Sequence, residues 1–206
     1  VFADVVDAIC DKMTRRHPHV FGDAHFADAD AQLADWEARK QIERAASGDT
    51  DTSALAGIAR GLPEWQRAVK LQKKAAKIGF DWPGPAPVLA KLAEEIEEVR
   101  VEFDAVAASP GDAAARDRLE DELGDILFVC ANLARHAKVD VGTALRRANQ
   151  KFERRFRAME ALAEPAGGLA GKSLDAQDAF WDAVKAAEKR AAEQARLYGV
   201  EKWRGG

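Results

Sequence analysis

Cysteine is nearly absent: Cys10 and Cys130 are the only two in 206 residues, too distant to make a disulfide framework, so a reducing cytoplasm is the expected compartment. No cysteine or fourth ligand stands at zinc-finger spacing from His17, His19 and His25, so these read as turn and surface histidines. No apolar run approaches the length that spans a membrane, and no leader pattern precedes the first helical one. Positive charge is not in excess, and a formal net charge of -4 argues against a nucleic-acid or anionic-membrane surface, although basic residues cluster locally. Nowhere do apolar and polar residues alternate for long enough to make a strand, which leaves an all-α chain.

What is present builds helices. Alanine, leucine, glutamate and arginine dominate, and 47% hydrophobic content is enough for a core. The chain enters at Val1 on an apolar helical run (Phe2, Val5, Val6, Ile9, Met13) that ends before His17-Pro18, and so reads as a piece of something longer. A polar helix over 28–46 carries Leu33, Trp36 and Ile42, and a loop follows from Ser47 to Thr52. The next helix starts at Leu62-Pro63-Glu64 and runs to Ile78, with Lys70, Lys73, Lys74 and Lys77 as a solvated face. Gly79 to Pro87 then breaks the chain. Beyond two acidic helices, a further helix follows Asp140-Val-Gly142 with Leu145, Ala148, Phe152, Phe156 and Met159 as its apolar face. After a connector over 164–171, a last helix runs from a capping Ser173 to Leu197. The basic cluster Lys12 to Arg16 recurs as Lys151 to Arg155, which is either an internal repeat or two helix C-termini decorated alike.

The acidic helices, joined at Ala107 to Asp112, repeat one charge pattern. Lys91, Glu95 and Glu98 follow spacings of four and three, and so do Arg118, Glu122 and Asp125, so each set lies on one helix face. The apolar stripes Leu89, Leu92, Ile96, Val99, Phe103, Val106 and Leu119, Leu123, Ile126, Cys130, Leu133, Ala137 run one position behind the acids. An antiparallel hairpin of these helices would bring four carboxylates together at the border of its core.

Four carboxylates in a small volume cannot all stay ionised without compensation, and a divalent cation supplies it. Oxygen ligands without cysteine or histidine favour Mg²⁺, with Mn²⁺ as a substitute, over zinc, and Mg²⁺ keeps positions for water and phosphate. Lys151 and Arg155 are then candidate phosphate partners. By itself Glu94-Glu95-x-x-Glu98 is what a solvated helix face also looks like; the matching Glu122-x-x-Asp125 is what singles it out. A di-iron bundle would require Glu-x-x-His pairs, and neither acidic pair has one.

These two motifs resemble the signature of the all-α nucleoside triphosphate pyrophosphohydrolases. Gly79-Phe-Asp-Trp-Pro83, the stretch Glu120 to Phe128, Asn132-Leu-Ala-Arg-His136 and the stretch Ala148 to Phe156 are similar specifically to MazG. The resemblance implies a four-helix-bundle-like catalytic domain over 61–198 and a tail over 199–206. Residues 1–60 would hold the end of a truncated first MazG repeat, marked by His17 to Gly22, plus a linker. It implies hydrolysis of (deoxy)nucleoside triphosphates to monophosphate and pyrophosphate, of broad base specificity. Glu95, Glu98, Glu122 and Asp125 would be the catalytic Mg²⁺ ligands, and Lys91, Arg118, Lys151, Arg155 and Trp181 the nucleotide contacts. A homodimer whose bundle is completed by both chains is also implied; residues 1–46 are expected to pack on a partner chain or on their own C-terminal domain, with Phe2 and Trp36 as anchors. Narrow-specificity relatives acting on dUTP, dCTP or phosphoribosyl-ATP remain open, as does a regulatory or dimerisation module that binds nucleotide without turnover.

Overall fold

The computed structural model describes residues 1–46, 48 and 50–201, with the backbone alone for Asp30, Gln41, Arg44 and 198–201. Ser47, and the part of the expected tail beyond residue 201, lie outside the described residues. Within them the protein is all helical: α1 (Phe2–Arg16), α2 (Pro18–Phe21), α3 (Ala29–Ala46), α4 (Glu64–Lys77), α5 (Pro85–Ala108), α6 (Ala113–His136), α7 (Val141–Ala163) and α8 (Leu174–Glu201), with a 3-10 turn at Glu164–Ala166. The chain divides into two compact units. One comprises Val1–Leu62 with Lys70–Asp81, the other Pro63–Val69 with Trp82 onward.

In the first unit α1 is amphipathic, yet Phe2, Val5, Val6, Ile9 and Met13 are all exposed. Arg16 reaches across to Glu43 of α3 at 2.8 Å. The α4 lysines are not the uniformly solvated face expected of them, because Lys77 pairs with Glu37 and Lys74 donates to the carbonyl of Ala56. His17 Nδ1 lies 2.9 Å from Met13 O, and His19 bonds Gln32 at 2.8 Å. The histidines therefore serve the turn between α1 and α3.

The second unit is made of two helical hairpins, α5 against α6 and α7 against α8. The proline-rich stretch does interrupt the chain, but α5 begins inside it at Pro85, because proline fits a first helical turn whose amides have no partner anyway. Asp112 caps α6 by accepting from Ala114 N at 3.0 Å, and Asp140 caps α7 by accepting from Thr143 N at 2.7 Å. Ser173 accepts from Ala176 N at 3.4 Å at the start of α8. The connector before it turns on Gly167, Gly168 and Gly171, all at positive φ.

The expected core stripe of α5 is split. Val99 is buried, but Leu89, Ile96 and Phe103 remain about half exposed. The residues turned inward are Val88, Glu95 and Val99, so the hairpin closes over the acidic border and not over the centre of the stripe. On α6, Leu123, Leu127 and Phe128 are likewise exposed while Ala115, Val129 and Ala131 are buried. An apolar face this wide serves two neighbours, and among the described residues α5 and α6 pack chiefly on each other.

Candidate functional site

The α5/α6 hairpin does what the spacings predict for three of its four acids. One carboxylate oxygen from each of Glu95, Glu98 and Glu122 falls in a group whose members all lie within 4.8 Å of one another. Antiparallel packing accounts for this. Glu98 meets Glu122, and four residues farther along α5 Glu102 meets Arg118, four residues earlier on α6, at 3.0 Å. The same register sets Asp125 at the level of Glu95, but Asp125 is exposed and is not a member of the group.

Glu95 is the buried member, with a side chain only 5% exposed. Its Oε1 accepts the ammonium of Lys91 at 2.8 Å, while its Oε2 is buried with no hydrogen-bond partner. Lys91 also reaches Glu94 at 2.7 Å. The hydrogen bonds to Glu94 and then Glu95 hold the ammonium well above its ordinary pKa, so it stays charged. Glu98 is pushed above the ordinary carboxylate range, first by its hydrogen bond with Glu95, then by desolvation and by the charges of Glu95 and Glu122, with Lys91 opposing. An orphaned buried oxygen beside a carboxyl that its neighbours make reluctant to ionise is a donor set short of positive charge, and these residues fit a hard divalent cation.

Three of the predicted basic and aromatic residues, Lys151, Arg155 and Trp181, lie on α7/α8. Arg155 Nε donates to Glu188 Oε2 at 2.8 Å, and its guanidinium lies 6.0 Å from the Trp181 ring. Phe152 packs on Trp181 with ring centroids 5.6 Å apart. Lys151 is exposed and, with Arg147 and Arg154, lines an open cavity of about 490 Å³. Thus Lys91 stands with the acids, Arg118 turns to Glu102, and Lys151, Arg155 and Trp181 share the second hairpin. Two partners escaped the sequence reading, Glu102 and Glu188. Glu102 follows Glu98 by four, and Glu188 follows Trp181 by seven on the same helix face, which is the signal that could have found them.

Residues 84–159, which hold all four acids, Lys151 and Arg155, match the family model described as the MazG nucleotide pyrophosphohydrolase domain. The chain is 42% identical over 188 residues to the nucleoside triphosphate pyrophosphohydrolase of Escherichia coli (strain K12), spanning 91% of this chain and 68% of that protein. It is 34% identical over 187 residues to the nucleoside triphosphate pyrophosphohydrolase/pyrophosphatase MazG of Thermotoga maritima, covering 90% and 66% of the two chains. An uncharacterized Bacillus subtilis protein, YabN, is 39% identical over 189 residues, which is 91% of this chain and 37% of that one.

Proposed function

The chain belongs to the MazG family of nucleotide pyrophosphohydrolases, and we propose from this membership that its acidic hairpin is a divalent-cation site at which nucleoside triphosphates are split. It is a nucleoside triphosphate pyrophosphohydrolase, an enzyme whose products are the monophosphate and pyrophosphate. The observation that carries the site reading is the three-acid group with the partnerless Glu95 Oε2 in it. Mg²⁺ is the ion this oxygen set favours, with Mn²⁺ as a substitute.

In this reading Glu95, Glu98 and Glu122 would hold the ion, with Asp125, level with Glu95 in the helix register, as a fourth candidate ligand. The bound cation supplies neutralisation of triphosphate charge and a lowered pKa for a water held near the α-phosphorus. Lys91, whose ammonium lies 2.8 Å from Glu95 Oε1, would stand beside a cation held by the acids and would serve as a contact for the phosphates. Arg118, Lys151 and Arg155 are further phosphate contacts, and Trp181 offers its ring to the base. One of the four acids, or the neighbouring Glu94, which pairs with Lys91 at 2.7 Å, would accept the proton of the attacking water. Broad base specificity is part of this proposal.

The chain is further proposed to work as a homodimer in the cytoplasm. Support for the dimer comes from the half-exposed stripe Leu89, Ile96 and Phe103 together with Leu123, Leu127 and Phe128, which only a second apolar surface would cover. Cys10 and Cys130 carry free thiols, and among the described residues no helix is long and apolar enough to cross a membrane. The test of the function is product analysis with a panel of canonical and damaged triphosphates. Mg²⁺-dependent release of pyrophosphate and monophosphate is expected across the panel. Orthophosphate with nucleoside diphosphate would contradict attack at the α-phosphorus, and activity on one nucleotide alone would overturn broad specificity.

A further inference from the structure

Two consecutive arginines on a helix point about 100° apart, so Arg154 and Arg155 would ordinarily diverge. Here one carboxylate gathers both. Glu188 Oε1 accepts from Arg154 Nε at 3.1 Å and from its Nη2 at 2.8 Å, while Oε2 accepts from Arg155 Nε at 2.8 Å. We propose that Glu188 is a positioning residue for the nucleotide, holding Arg155 beside Trp181 with its terminal nitrogens turned outward to take a phosphate. The proposal rests on the reading of Arg155 as a phosphate contact.

The hydrogen-bond pattern separates this role from a plain tie between helices. Arg155 is held through its inner nitrogen, and among the described residues its two terminal nitrogens have no hydrogen-bond partner. Those terminal nitrogens form the fork that grips phosphate, so the grip on Nε fixes the side chain without using up its binding edge. The aromatic packing is consistent with the same fixed geometry. Trp181 precedes Glu188 by seven residues on one face of α8, Phe152 packs on Trp181, and the Arg155 guanidinium lies 6.0 Å from the indole. Phe152 is itself stacked with Phe156 at 5.8 Å. Fixing both the cation and the ring before substrate arrives removes ordering that binding would otherwise cost.

Charge points the same way. Hydrogen bonds from Arg154 first, and then Arg155, hold the Glu188 carboxyl below its ordinary value, which favours its anionic form. One anion against two guanidiniums leaves the pair cationic, and Arg147 and Lys151 add to it along the cavity that Arg154 also lines. A substrate triphosphate therefore meets a surface that is still positive.

The experiment is a double-mutant cycle on the full chain using Glu188→Gln and Arg155→Met. It reads KM and kcat for a nucleoside triphosphate, and the Kd of an analogue carrying a methylene bridge between the α and β phosphorus atoms. Glu188→Gln is expected to raise KM and the analogue Kd about tenfold, the scale of one weakened charge-assisted hydrogen bond, with kcat changed less than KM. In the Arg155→Met background the same substitution is expected to add nothing. Glu188→Asp, which keeps the charge on a shorter arm, should fall between wild type and Glu188→Gln, and it carries the comparison if the latter does not fold. If Arg155→Met raises KM and Glu188→Gln does not, the positioning role is overturned while the site reading survives. A Glu188→Gln effect that persists without Arg155 also overturns it. If Arg155→Met itself changes nothing, the phosphate reading of Arg155 fails and this role fails with it.

Discussion

The ammonium of Lys91 lies 2.8 Å from Glu95 Oε1, on the carboxylate whose other oxygen is buried without a partner. If the acids hold a cation as proposed, the lysine would compete with it for this carboxylate. Lys91→Met should therefore lower the Mg²⁺ concentration for half-maximal activation, by about tenfold if the competition is worth one pKa unit. At saturating Mg²⁺ the same variant should show a raised KM, because a phosphate contact has been lost. A variant needing more Mg²⁺ would mean that Lys91 helps the ion to bind and does not stand in for it.

Glu98→Ala should cut Mg²⁺-dependent turnover by about 100-fold or more, the scale of losing one preorganised charge-stabilising group. Its circular dichroism should stay helical, since Glu98 is exposed and is not part of the buried apolar core. Asp125→Ala is the sharper test of the fourth ligand. Equal loss would place Asp125 in the working site, and full activity would remove it from the ligand set.

Metal addition should be visible without turnover. A ligand that binds only the folded state stabilises it by about 2.7 kcal/mol at one hundred times its Kd. Wild-type melting temperature should rise with Mg²⁺ and return after chelation, whereas that of Glu98→Ala should respond weakly. An equal rise in both would send the ion elsewhere.

The cap of α7 carries a pH dependence of definite sign. Hydrogen bonds from Thr143 hold the Asp140 carboxyl below its ordinary value. A carboxyl depressed in the folded state contributes stability that is complete above its unfolded pKa and lost as pH falls through the folded one. Asp140→Ala should lower the melting temperature at neutral pH by about 2–4 °C. Asp140→Asn, which caps without titrating, should lose less stability than wild type between ordinary aspartate titration and stronger acid.

The dimer is tested by light scattering at micromolar concentration. Ile96→Asp places a charge in the exposed stripe and should give a monomer with reduced activity. A fully active wild-type monomer would rule out a site completed by two chains.

The sequence by itself determined everything that depends on chain-local geometry. Spacings of three and four place Glu95 with Glu98 and Glu122 with Asp125 on single faces because a helix turns every 3.6 residues whatever surrounds it. The cap Ser173 was legible for the same reason, since it bonds an amide three residues ahead, whereas the caps Asp112 and Asp140 emerged only with the structure. Only the tertiary structure decided which edge of a broad apolar stripe is buried. That edge depends on the facing helix, so Val88, Glu95 and Val99 go inward while Leu89 and Ile96 stay half exposed. It likewise decided that Arg118 meets Glu102 across a hairpin and that Arg155 meets Glu188 from thirty-three residues away. Periodicity carries no information about such pairs, because they are set by how two helices register and not by how either one is wound.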